Sequence, residues 1–201
     1  MSIVSTKSTR VLVAATAVAT LAASPAFAHT GMHPLGESGF VAGFTHPLLG
    51  LDHLLAMLGV GVWAAQLGGR ATWLVPAAFV GVMVAGAALA LSGAALPMVE
   101  FGIGGSVLVI GGLIAFGARV PLAAAMALAG LFALFHGHAH GTELPGFAHP
   151  AACGAGFVLA TALLHAAGFG IAALLRAQAA RLPLRLGGLV MAAIGGYLLA
   201  A

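Results

Sequence analysis

Two short stretches of this chain gather most of its imidazoles and half of its carboxylates, and such groups are ligands for divalent transition metals. The first reads HPLLGLDH, from His46 to His53, with Asp52 beside the second histidine. The second reads FHGHAHGTELP and carries His136, His138, His140 and Glu143. Imidazole nitrogen suits nickel, copper, zinc and iron, and a carboxylate adds a harder oxygen donor. The chain around them is 62% hydrophobic and 5% charged, with nine histidines and four acidic residues. A soluble domain carries about 25% charged residues, so this is the composition of an integral membrane protein. An ionisable side chain at the bilayer centre costs roughly 2.5–3.5 kcal/mol on insertion scales, and where one is kept a function is the first explanation to test.

Spacing says how the donors can meet. On one continuous helix His46 and His53 share a face, with roughly 10 Å of rise between them. Asp52 lies roughly 100° around from His53. It either ligates a cation from an adjoining groove or accepts a hydrogen bond that orients an imidazole. Pro47 fits the first turn of a helix that starts there, and Met57 stands one turn past His53 as a soft donor. His136, His140 and Glu143 fall at i, i+4 and i+7, on one face if the helix runs that far. His138 then points elsewhere, unless Gly137 and Gly141 break the helix. His165, with Thr161 one turn before it, is either a deep relay site or an interhelical contact. His29 and His33, followed by Glu37, either collect metal ahead of the bundle or belong to a solvated tail. Coordination needs neutral imidazole, so metal binding is expected to weaken as histidines protonate near pH 6.

The elements that must position these groups follow from the apolar runs. Residues 1–28 read as a cleavable signal peptide: Lys7 and Arg10, an apolar core from Val11 to Ala23, then the small-x-small site Ala26-Phe27-Ala28. Residues 29–45 form a periplasmic lead, and residues 46–201 a six-helix transmembrane domain. The expected spans are 46–67, 72–92, 99–117, 121–140, 151–175 and 185–201, each near the roughly 20 residues that cross a bilayer as a helix. The fold class is therefore all-α and polytopic. With the mature N-terminus outside, Arg70, Arg119, Arg176, Arg181 and Arg185 fall on cytoplasmic connections. Glu37, Glu100 and Glu143 then fall on the outer side, as the positive-inside rule requires in a bacterial inner membrane. Glycine pairs such as Gly59/Gly61, Gly102/Gly104/Gly105, Gly111/Gly112 and Gly195/Gly196 read as close helix contacts. Trp63 and Trp73 read as interfacial anchors.

Several classes drop out. The basic residues form no patch, which argues against nucleic acid. The single cysteine, Cys153, excludes an internal disulfide and a CxxC site. There is no Walker A motif, no HExxH, and no nucleophile with its base, so neither an ATP-driven motor nor an enzyme is expected.

The stretch HPLLGLDHLLAMLGVGVWAAQLGG (His46 to Gly69) resembles the HupE/UreJ family of bacterial membrane proteins. FHGHAHGTELP (Phe135 to Pro145) and GFVLATALLHAAG (Gly156 to Gly168) match its other blocks in order. The likeness to the larger nickel/cobalt transporters is looser. Their signature has four residues between the histidine and Asp-His, where this chain has five between His46 and Asp52. The HupE/UreJ resemblance implies a permease for Ni2+ or Co2+, associated with hydrogenase or urease maturation proteins. It implies His46, Asp52, His53, His136, His140 and Glu143 as functional, and no permanent cofactor. Two rival expectations use the same ligands: a non-conducting accessory protein that hands metal to a maturation partner, and a haem-binding electron carrier.

Overall fold

Within lipid a backbone must satisfy its own N–H and C=O groups, so long apolar segments fold as helices. The computed structural model describes residues 39–177 and 181–201, and its regular structure is helix throughout. The helices are α1 (Phe40–Leu49), α2 (Leu51–Leu67), α3 (Ala71–Leu91), α4 (Val99–Phe116), α5 (Leu122–Glu143), α6 (Pro150–Ala177) and α7 (Arg181–Ala200). A 3-10 turn, Leu144–Gly146, follows α5. Among the described residues five helices are long and apolar enough to cross a membrane, and α1 with α2 makes a sixth span if the bent pair is counted as one. This is a multi-pass membrane protein. Arg70 lies between α2 and α3, and Arg119 between α4 and α5, while Glu100 and Glu143 lie at the other ends of α4 and α5.

The first span departs from the sequence expectation. In place of one helix from His46 there are two, meeting at Gly50 with a bend of 84°. Pro47 does not start a helix; it lies inside α1, three residues before the break. It has no N–H to give to the preceding turn, and its ring crowds the carbonyl four residues back. Gly50 is extended (φ −81°, ψ 116°) and serves as the N-cap of α2. The consequence for the site is large. His46 ends one helix while Asp52 and His53 begin the next, so their spacing is set by a corner and not by helical rise.

Helix α2 is the centre of the bundle, with Ala56, Met57, Val60, Trp63 and Ala64 fully buried. Trp63 is thus a core residue and not the interfacial anchor expected of it. Only Trp73, at 74% exposure, keeps that role. The closest helix pairs are α3 with α5, α4 with α7, and α6 with α1 and α2. Each is a glycine crossing. A Cβ on Gly43 would overlap the Cys153 carbonyl, and one on Gly156 the Phe40 carbonyl, where α1 meets α6. Gly61 and Gly168 do the same against His165 and Leu58, and Gly137 against Met83, while a Cβ on Gly195 would overlap the Leu108 backbone nitrogen. Apolar burial drives little association inside lipid, so backbone approach at small residues supplies the packing. Gly105, Gly112 and Gly196 do not share this role, for a Cβ there meets nothing within 4 Å.

Candidate metal centre

The break at Gly50 delivers Asp52 to the first turn of α2, where a negative charge suits the helix N-terminus. Both Asp52 and His53 are buried. Asp52 Oδ1 accepts the His53 backbone N–H at 2.8 Å and lies 2.8 Å from His53 Nδ1. A carboxylate only accepts, so Nδ1 carries the ring proton and Nε2 is left with a lone pair directed away from Asp52. Of the two roles open to Asp52, the geometry is that of the orienting acceptor. Gly50 makes the room, since a Cβ there would stand 3.0 Å from the same Oδ1.

Helix α5 runs unbroken through Gly137 and Gly141 to Glu143, so the i, i+4, i+7 face exists. His140 Nε2 stands 2.6 Å from His53 Nε2. His140 Nδ1 stands 3.6 Å from Glu143 Oε2. Each imidazole is thus backed by a carboxylate on its Nδ1 side, and the two Nε2 atoms face each other. At 2.6 Å the two Nε2 atoms share a proton, and a metal cation held by both would take its place as the rings part to the roughly 2 Å metal–nitrogen distance of imidazole ligands. His46 closes the group: its donor atom and those of His140 and Glu143 lie within 4.8 Å of one another. Its ring is 4.8 Å from that of His140 and 5.9 Å from that of His53, centre to centre.

His136 lies deeper, fully buried, with its ring centre 4.8 Å from that of His53. Ser106 Oγ donates to the Ile103 carbonyl at 2.6 Å and lies 3.0 Å from His136 Nε2. The hydroxyl proton is committed, so His136 donates through Nε2 and its Nδ1 carries the lone pair. His138 points elsewhere, as its spacing foretold: Nε2 donates to the Ala94 carbonyl at 2.8 Å, in the connection between α3 and α4. His165 sits in α6 edge-on to Phe79, ring centres 5.1 Å apart. His136 Nδ1, His138 Nδ1 and both nitrogens of His165 are buried with no hydrogen-bond partner among the described residues. Each such group costs about 1–3 kcal/mol when left unsatisfied. Nitrogens kept at that cost are candidate ligands. His29 and His33, together with the signal-peptide residues, lie outside the described residues.

Ser106, Phe79 and Phe157 belong to this site without having been singled out by sequence. Phe157 packs on His140 at 3.9 Å between ring centres and also touches His46 and His53. Phe79 spans from His136 to His165. None carries a metal-ligand signature, so only the tertiary contacts reveal them. A cavity of about 470 Å³ opens beside the group, lined by His46, Met83, His140, Glu143, Cys153 and Phe157 among others. Ser106→Ala would leave His136 Nε2–H without its acceptor and release the tautomer. The expected result is a fall of about 10–100-fold in metal affinity, as for other partners that orient a ligating ring, read by titration of the purified protein.

The family model described as HupE / UreJ protein matches residues 16–198. Protein HupE of Rhizobium leguminosarum bv. viciae is 46% identical over 176 residues, covering 88% of this chain and 91% of that one. No solved structure matches.

Proposed function

The chain belongs to the HupE/UreJ family, and from that premise we propose that it is a permease importing Ni2+, or Co2+, across the bacterial inner membrane. One observation carries the reading: two carboxylate-backed imidazoles, His53 and His140, whose Nε2 atoms face each other at the corner of a broken span. Discontinuous helices at membrane depth are a recurrent way of holding ions in transporters, because the interrupted turn exposes groups that a continuous helix keeps for itself.

His46, His140 and Glu143 capture the cation and replace part of its water, with His29 and His33 feeding them from the lead. His53 receives it while Asp52 fixes the ring and balances charge. His136 and His165 offer the next nitrogens inward. His138 ties the connection between α3 and α4 to α5 through Ala94. The cation is cargo, not a resident cofactor, and no bond of a substrate is broken. Inward movement of a dication gains about 4.6 kcal/mol per 100 mV, at about 2.3 per charge. Release is also needed, so the site is more open than a structural zinc site. Nickel-enzyme maturation proteins are the natural recipients of the imported ion.

The test is uptake of radiolabelled Ni2+, Co2+ and Zn2+ by proteoliposomes of the purified protein. Metal in the lumen is the expected result. Saturable binding with no lumenal metal would instead make this a non-conducting accessory protein. A Soret band in the purified protein would point to haem. His149 is exposed in the connection before α6, so His149→Ala is expected to change uptake less than about twofold, on the footing of an exposed site away from the ligands. A severe loss there would relocate the capture site.

A further inference from the structure

A second cluster lies one turn deeper than His53 and holds no carboxylate. Met57 reaches it from α2, Met83 from α3, and Thr161 from α6. Thr161 Oγ lies 3.2 Å from Met57 Sδ and 3.8 Å from Met83 Sδ. Two thioether sulfurs from different helices thus converge on one hydroxyl. One turn further along α6 comes His165, which faces Phe79, one turn back along α3 from Met83. All four side chains, Met57, Met83, Thr161 and His165, are buried. Ordinary core packing accounts for the methionines and the threonine. It does not account for His165, whose two ring nitrogens are buried without a partner among the described residues.

We propose that Met57, Met83, Thr161 and His165 form an inner relay site for a late transition-metal cation, reached after the carboxylate-backed histidines. The donors are two thioether sulfurs, a hydroxyl oxygen and an imidazole nitrogen, and none carries a formal charge. Sulfur and imidazole favour the softer transition cations. Mg2+ and Ca2+ demand oxygen ligands and bind such a set poorly. The inner site therefore sorts cargo by softness after the outer site has collected it by charge. A neutral site also holds a dication less firmly than an anionic one, and an ion must leave in order to be transported. As a step in transport this rests on the permease reading; as a binding site it stands on the geometry alone.

The experiment uses the full chain in detergent, labelled with 13C at the methionine methyl groups and titrated with Ag+ as a soft, diamagnetic probe. Met57→Leu and Met83→Leu, which keep the core volume, assign the two resonances. The expected result is that the Met57 and Met83 methyls shift together, at lower Ag+ than those of Met98 and Met126, and that His165→Leu raises the Ag+ needed. Shifts of Met98 or Met126 at the same or lower Ag+ would overturn the site, as would Met57 and Met83 resonances that stay in place at saturation. The measurement requires no transport. Protein that accumulates Ni2+ without these shifts loses the inner site and keeps the permease. Protein that shows them and accumulates no metal keeps the inner site and loses the permease.

Discussion

Asp52→Asn is expected to lower divalent-metal uptake by about 100-fold or more, the upper end of what removing a ring-orienting partner costs, while the protein still inserts. The substitution keeps the side-chain volume and removes the charge. Asp52 Oδ1 now holds both the backbone N–H and the Nδ1 of His53. An amide oxygen in its place holds that ring less firmly, and a rotated amide presents N–H groups to it and repels Nδ1–H. The dication also loses one of the two carboxylates near its proposed seat, in a setting where charge is weakly screened. His53→Ala is expected to be as severe, since it removes one of the two facing Nε2 atoms. The measurement is uptake by proteoliposomes, normalised to inserted protein. Unimpaired uptake in either variant would remove Asp52 and His53 from the path.

Gly61→Val is expected to unfold or separate the bundle rather than to tune it. The first added carbon would fall on the His165 carbonyl, with the Phe169 backbone nitrogen 2.9 Å away. Neither neighbour is a side chain that can swing aside, so α2 and α6 must move apart along their whole contact. Overpacking costs about 1–3 kcal/mol where a core can adjust, and this backbone clash stands at or above that range. Gly112→Val is the control, because nothing lies within 4 Å of a Cβ there. Thermal unfolding in detergent should show a large fall for Gly61→Val and little change for Gly112→Val. Equal behaviour of the two would mean that this glycine crossing does not hold the helices.

The haem alternative and the metal reading both require His53 and His140 to part. Two imidazoles that ligate one haem iron stand on opposite faces of a porphyrin, about 4 Å apart nitrogen to nitrogen at the roughly 2 Å iron–nitrogen distance typical of imidazole ligands. Here the facing Nε2 atoms are 2.6 Å apart, which suits a shared proton; a metal ion set directly between them needs the same opening of the rings, so the Soret band and not this spacing separates the two readings.

Composition and periodicity were enough for the membrane, the helices and the choice of candidate donors. Long apolar runs leave the backbone no partner but itself, so the later spans end within a few residues of where hydropathy places them. The face shared by His136, His140 and Glu143 was also legible, because it depends only on helical repeat within α5. What the linear pattern does not contain is the corner at Gly50. A proline and a glycine mark a weak point, but neighbouring helices decide whether it bends and by how much. That corner, together with the glycine crossings, turned His46 and His53 from two rungs of a ladder into members of one cluster with His140. The tautomer of His136 was likewise beyond the sequence, unlike that of His53, whose partner is the residue before it. The proton on His53 is placed by Asp52, and the proton on His136 by a serine thirty residues away. A hydrogen bond between helices is a fact of three-dimensional contact, and no spacing along one chain encodes it.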